Sequence, residues 1–209
     1  MPFSRSTCTV TVSVRNQEHR YTLLYADTEN EGVYLTDDSR DELFWGVADL
    51  AALMDSTADS YINLQLTPGV TEEDMLKISL ISISGNDRDE EITVQRNDPE
   101  PPALAGSTVT YSVTSPTVYN VSQKILEETV LRPITLLAAS GVASHDTGDG
   151  SLKSHGLDQP SYVLNYQIDG TPHTVYFGSI TQDAMFYARV EGISLIYQVP
   201  VSSAVFLQT

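Results

Sequence analysis

Cysteine occurs once, at Cys8, in a chain of 209 residues. A single thiol excludes an internal disulfide and a zinc centre built on cysteines, so the fold must rest on packing and hydrogen bonds. Positive charge is scarce as well. Eleven Lys and Arg stand against 28 Asp and Glu, a formal net charge of −17 at pH 7. Nucleic-acid binders and proteins that adhere to anionic lipid neutralise phosphates with grouped Lys and Arg. The basic residues here are scattered, so both classes are disfavoured. The acidity reads first as solubility and second as attraction for cationic partners or divalent metal. No run approaches eighteen apolar residues, so no segment reads as a membrane-spanning helix. The MPFSRST ahead of Cys8 also lacks the apolar region of a lipoprotein signal. The G-x-S-x-G elbow, the G-x-x-x-x-G-K-[ST] phosphate loop and the G-x-G-x-x-G dinucleotide fingerprint do not occur.

What is present is an ordinary globular composition, 41% hydrophobic and 19% charged, enough to bury a sizeable core in one large domain or two small ones. Eleven tyrosines against one tryptophan suit pleated sheets, where aromatic faces pack well. The last fifty residues carry the clearest pattern. Tyr162 to Ile168 alternates with period two, Asp169-Gly170 is a hairpin turn signal, and His173 to Phe177 is a second β-rich run. Met185 to Val190 and Ser194 to Val199 form another pair about Glu191-Gly192. Pro200 should stop the last strand, and the SSAVFL that follows reads as a short closing helix.

The same order of elements occurs near the start. An ungapped offset of 153 places Tyr21–Leu24 on Thr174–Phe177, Val33–Leu35 on Phe186–Ala188, Leu43-Phe44 on Ile196-Tyr197 and Ala48–Met54 on Val201–Leu207. Few residues are identical; what repeats is strand, turn, strand, strand, turn, strand, helix. Thr9 to Val14 would supply the first strand of the N-terminal copy. Val47 to Met54 reads as a helix, and Trp45 beside it as core packing.

Between the copies, Thr71 caps a one-turn helix with acids in its first turn. Ile78 to Ser84 and Glu91 to Arg96 flank Gly85-Asn86-Asp87 as a hairpin. NDPEPP, 97–102, is the best boundary, because consecutive prolines resist both helix and interior strand. Thr108 to Val113 is a strand. Ser115-Pro116 reads as the start of a helix with Val118, Val121, Ile125 and Leu126 on its inner face, ended or kinked near Leu131 by Pro133. Ile134 to Ala139 fits either a helical turn or a buried strand. Ser144 to Ser154 reads as a polar loop.

Candidate chemistry is thin. His145-Asp146-Thr147-Gly148-Asp149-Gly150, with His155 and Asp158 beyond, is the one cluster resembling a metal site. It lacks the spacing and closing Glu of a calcium loop, so a loop without metal is the better reading. His19, His145, His155 and His173 could each act as a base, but none has a Ser or Asp in motif context. His19 and His173 read as exposed strand-edge residues. The acids of Asp37-Asp38 and Asp87 to Glu91 fall at hairpin tips. Asn120-Val121-Ser122 matches a glycosylation acceptor at a predicted helix start and is set aside. No catalytic, cofactor-binding or metal-binding residue is assigned.

The GLDQP of Gly156–Pro160, the strand and D-G turn after it, Phe177-Gly178, the FYARVEG of Phe186–Gly192 and the IYQV of Ile196–Val199 together resemble the DUF4340 family. These are bacterial proteins of unknown function, written with a GLD-x-P opening, an aromatic-rich strand ending in a D-G-like turn and a V-Y-hydrophobic-V strand. The likeness is clearest over 156–207 and looser over 62–141. It implies an extracytoplasmic domain in the cell envelope, usually behind an N-terminal membrane anchor and often encoded beside ABC-type transporter or gliding-motility components, and so read as transporter-associated. Such an anchor would precede Met1 in the full-length protein. The resemblance implies no catalytic residues and no cofactor.

The expectation is therefore an α+β protein of two related modules of antiparallel hairpins with short helices packed on the sheets. The modules span 1–98 and 107–209, and their sheets could be continuous. The expected function is non-enzymatic, a protein-interaction or accessory module contacting another envelope or membrane protein. The alternative is a small-ligand or glycan binder using Tyr162, Tyr166, Tyr176 and Tyr187 on the C-terminal sheet.

Overall fold

The computed structural model describes residues 3–14, 17–26, 33–37, 42–46, 56–67, 70–97 and 110–208. The expected helix Val47–Met54, the Trp45 side chain and the proline-rich segment from residue 98 to 109 lie outside them. The chain is mixed, with mostly antiparallel sheet and a few short helices. It divides into two compact units, Met1–Ile62 and Asn63–Thr209.

The first unit holds a four-stranded antiparallel meander: β1 (Phe3–Val14), β2 (Gln17–Ala26), β3 (Val33–Asp37) and β4 (Leu43–Gly46), in that order. The alternating TVTVSV run folds as predicted, and β1 extends further back, to Phe3. Thr7 to Val14 pairs with β2 in one register, and an irregularity separates it from Phe3.

The second unit is built on a nine-stranded antiparallel sheet. Its strands are β5 (Ile78–Ser84), β6 (Ile92–Arg96), β7 (Tyr111–Ser115), β8 (Tyr119–Val121), β9 (Gly141–Ser144), β10 (Tyr162–Ile168), β11 (Thr171–Ile180), β12 (Met185–Val190) and β13 (Ile196–Pro200). Their spatial order is β8-β7-β6-β5-β10-β11-β12-β13-β9. Alternation decides which side is buried. Ile81, Ile83, Val94, Val113, Leu164, Val175, Phe177, Phe186, Ala188 and Val199 point to one face and are shielded from solvent. Leu66, Leu126, Leu131, Ile134, Leu137, Ala204, Phe206 and Leu207 complete the core.

The division between units differs from the expected one. Because β5 pairs with β10 along Ile78–Ser84, the β5–β6 hairpin belongs with the C-terminal strands, and the break falls at Ile62/Asn63. The described strands form two sheets rather than one continuous sheet. A hairpin pattern is local, whereas its sheet partner is chosen by long-range burial, here of Ile81 and Ile83 against Leu164 and Tyr166.

The helix after β7 also begins later than predicted. The chain passes a cis Ser115–Pro116 bond into β8, and Val118 and Ile125 are exposed rather than inward-facing. Helix α1 (Gln123–Leu126) continues through a π turn at Glu127–Leu131 into α2 (Arg132–Thr135). The wide turn puts Leu126 and Leu131, five residues apart, on one buried face. Pro133, which lacks an N–H and crowds the preceding turn of an α-helix, follows it directly. Ala138 meets Gln65 in an isolated bridge, so Ile134 to Ala139 is part helix and part bridge.

Two further segments depart from the polar-loop expectation for Ser144–Ser154. Gly141–Ser144 is β9, and Asp149–Ser154 is a short helix, α3. The Asp146 carboxylate accepts the Gly148 N–H at 2.8 Å, turning the chain into the helix. Thr71 behaves as expected: its N–H and hydroxyl both donate to the Asp74 carboxylate at the start of the Glu72–Lys77 turn. The expected closing helix is a pair of 3₁₀ turns, Val201–Ser203 and Val205–Gln208. Among the described residues no helix is long and apolar enough to cross a membrane.

Candidate functional site

The four tyrosines singled out in the sequence separate into two pairs. Tyr162 and Tyr166 lie four residues apart on β10 and face the core, at 9% and 1% exposure. Tyr176 pairs with Val163 across β10–β11, and Tyr187 pairs with Gln198 across β12–β13; both project from the opposite face and are half-buried. The pairing register makes the split, because opposed residues share a face: Tyr162 and Tyr166 oppose Phe177 and His173, whereas Tyr176 opposes Val163 on one side and Arg189 on the other. The four do not form one surface.

Each pair has its own chemistry. The Tyr166 ring stacks on His173 at 4.9 Å and 14°. Its buried hydroxyl has no hydrogen-bond partner among the described residues, and burial pushes the phenol up to about 12. Tyr111 is similarly buried but donates to the Ile78 carbonyl at 3.1 Å; burial likewise pushes it up to about 12. On the opposite face, the Arg189 guanidinium lies 4.7 Å from the Tyr176 ring centre, a cation–π contact, with its Nε buried and, among the described residues, unpartnered. His155 meets Tyr187 edge-on at 4.4 Å, and its Nδ1 lies 2.7 Å from the Ser151 carbonyl. Gly178 makes that approach possible, since a Cβ there would sit 2.2 Å from the His155 carbonyl oxygen.

The remaining candidates do not assemble into one centre. His145 and Asp158 are exposed and His155 packs on Tyr187. Among the described residues no group of three or more His, Cys, Asp or Glu converges as a metal site. His19 stacks on Tyr21 at 6.4 Å, and His173, half-buried, lies against Tyr166 instead of standing free at a strand edge.

The structure adds a site that no motif announced. A cleft of about 830 Å³ opens in the second unit, lined by Asp87, Arg88, Asp89, Glu90, Ile92 and Tyr162 and closed by Pro116, Thr117, Tyr119 and Gln208. The β5–β6 turn forms its acidic rim. Gly85 adopts φ +135° and its Cα hydrogens occupy space where a Cβ would meet the Ser161 carbonyl at 2.2 Å, so the turn lies tight against the start of β10. Asn86 and Asp87 N–H groups donate to the Pro160 and Ser161 carbonyls at 3.1 Å. Arg88 Nη1 donates to the Leu207 carbonyl at 2.6 Å, tying the turn to the C-terminal 3₁₀ segment. The acids of this turn were visible in the sequence as a hairpin tip. That residues 116–119 and Gln208 would face them was not, because both approaches depend on sheet order.

Comparison with protein-family models, with curated proteins and with solved structures gives no significant match for this chain. The fold defines the chain's class as two compact units of mainly antiparallel sheet with a few short helices.

Proposed function

We propose that this chain is a non-enzymatic interaction module whose first sheet accepts a strand from a partner protein along β1. The observation that carries this reading is the contrast between sheet edges. The nine-stranded sheet ends on β8 and β9, of 3 and 4 residues, short edges that offer little to a passing strand. The four-stranded sheet ends on β1, of 12 residues, which among the described residues pairs with β2 alone. From Thr7 to Val14 the sequence carries no charge and no proline, the two common guards of an exposed edge. Every second residue of such an edge turns its backbone N–H and C=O outward, the template used in strand addition.

The second unit offers an internal parallel. The two meanders, β1–β4 and β10–β13, are read here as related modules. Adding 153 to the β3–β4 pairs Val33↔Gly46, Tyr34↔Trp45 and Leu35↔Phe44 gives Phe186↔Val199, Tyr187↔Gln198 and Ala188↔Tyr197, which are the β12–β13 pairs observed. In the second meander the strand equivalent to β1 is β10, and β5 runs antiparallel along its outer side. The partner strand proposed for β1 would occupy the same place. In keeping with the DUF4340 resemblance, the partner is read as another envelope protein, and the chain as the extracytoplasmic part of a membrane-anchored, transporter-associated protein.

The test is a photo-cross-linker introduced at Thr9 or Thr11, both exposed on β1, in the full-length protein in its native cells. Cross-links to one envelope or transporter protein, lost in a Thr9→Lys/Thr11→Lys double variant that remains folded, are the expected result. Links only between copies of the chain, or links indifferent to the lysines, would overturn the reading.

A further inference from the structure

The cleft in the second unit has the composition of a site for an organic cation. Asp87, Asp89 and Glu90 place three exposed carboxylates on its rim, and none has an ion-pair partner among the described residues. The one guanidinium of the rim, Arg88, directs Nη1 to the Leu207 carbonyl and Nε to the Glu90 carbonyl at 3.4 Å. Acidic side chains at a turn are ordinarily nothing more than a solvated tip, and alone they would carry no site. Tyr162 supplies the second observation. It is more than nine-tenths buried, its ring meets Phe186 edge-on at 5.9 Å, and it lines the cleft. Its hydroxyl has no hydrogen-bond partner among the described residues, so the polar tip of an otherwise buried ring is left for the cleft.

The walls fit the rest of such a ligand. Ile92 and Pro116 are apolar, and Tyr119 stands 56% exposed at the mouth. An alkyl chain ending in an ammonium or guanidinium would lay its stem on these surfaces. Its charged end would meet the rim carboxylates, with the tyrosine rings adding cation–π attraction and the Tyr162 oxygen accepting a hydrogen bond. The volume lies within the range of small-molecule sites and is ample for one side chain or a short linear amine. A bare divalent ion would use the carboxylates alone and leave the aromatic and apolar walls unexplained.

We infer that this cleft binds an extended organic cation, of the kind carried by a lysine or arginine side chain or by a free linear polyamine, with Asp87, Asp89 and Glu90 holding the charge and Tyr162 its hydrogen bond. The inference stands on the second unit and is independent of strand addition at β1.

Titration calorimetry on the whole chain tests it, with spermidine and an N-acetylated, C-amidated trilysine peptide as probes and magnesium chloride as control. Saturable binding of at least one probe, with Kd of order 1 mM or tighter and weakening as salt rises, is expected. Tighter spermidine binding would assign the free amine as the source, and tighter peptide binding a protein-borne lysine. The exposed rim variant Asp87→Asn/Asp89→Asn/Glu90→Gln should weaken binding about tenfold or more, and Tyr162→Phe severalfold, with the melting temperature of each held. No saturable binding of either probe would overturn the inference. So would a rim variant that binds as the parent does, or magnesium competing on equal terms with the amines.

Discussion

The meanders β1–β4 and β10–β13 have the same strand order and the same register in their last hairpin, yet they are finished differently. β10–β13 is bordered by β5 on one side and β9 on the other, and Leu164, Val175, Phe177, Phe186, Ala188 and Val199 are all fully buried. In the first sheet, Leu23 is the buried hydrophobic residue among those described, and β1 borders no further strand among them. The registers show how each meander met its own burial demand. At the fixed offset Leu23 would correspond to Tyr176, which points away from the core. β11 is slipped by one residue against β12, so that Phe177 opposes Ala188 as Leu23 opposes Leu35. A slip of one exchanges faces; here it places the apolar residue inward. The first hairpin differs by two residues, which preserves faces and changes only the turn: Val14 pairs with Gln17, and the equivalent Gln167 pairs with Pro172.

The contrast can be broken most forcefully at the core. Phe177→Ala should cost the second unit about 3–5 kcal/mol, whereas Leu23→Ala in the first should fall near 2 kcal/mol, the low end of the range for a leucine. Amide hydrogen exchange resolved by strand would measure each, and equal losses would mean that the two sheets are equally well packed. Gly85→Ala strikes the junction that lets β5 cover β10. It combines a φ of +135° with a Cβ placed on the Ser161 carbonyl, so a loss of about 3 kcal/mol or more is expected from chemical denaturation. A variant of parental stability would show that β5 covers β10 without that tight turn.

Alkaline pH acts next, and on the second unit. Tyr111 and Tyr166 are held at about 12 when folded against 10.0 in their unperturbed state, both because burial disfavours phenolate. The folded chain therefore keeps protons that the unfolded chain releases. Stability is full below pH 10 and falls as pH rises from about 10 to about 12, by on the order of 1 kcal/mol per tyrosine. Tyr166→Phe should remove its share of that loss and, because the hydroxyl is unpartnered, leave neutral-pH stability equal or higher. Tyr111→Phe sacrifices a hydrogen bond and should cost about 1 kcal/mol. Denaturation midpoints at pH 8 and pH 11 distinguish the two; identical behaviour of the variants would contradict the hydrogen-bond difference. The smallest effect on stability belongs to Thr9→Lys/Thr11→Lys, within about 0.5 kcal/mol, since both positions are exposed. A larger drop in the thermal midpoint would mean that β1 is covered within the chain, and the contrast between edges would disappear.

Period-two alternation, turn residues and caps were legible wherever they act locally. The strand at Ile78–Ser84, those of the C-terminal meander, the Asp169-Gly170 turn and the Thr71 cap all follow from neighbouring residues. The helix predicted from Ser115-Pro116 failed because a proline after serine is compatible with a turn as well as a helix start, and β8 pairing with β7 decided between them. Ser144–Ser154 looked like loop because its polar composition hid Leu152 and the Asp146 turn that starts α3. The tyrosine cluster failed for a different reason: counting aromatic residues ignores which face each one takes.

The sequence alone determined the local elements, the excess of negative charge, the single cysteine and the lack of the two Gly-rich phosphate-binding motifs, because those depend on residue identity and short spacing. Tertiary structure decided which hairpin joined which sheet, which tyrosines were buried and which turns met around the cleft. Those outcomes depend on burial shared between residues far apart in the chain: β5 joins β10 across eighty positions because only together do Ile81, Ile83, Leu164 and Tyr166 leave water.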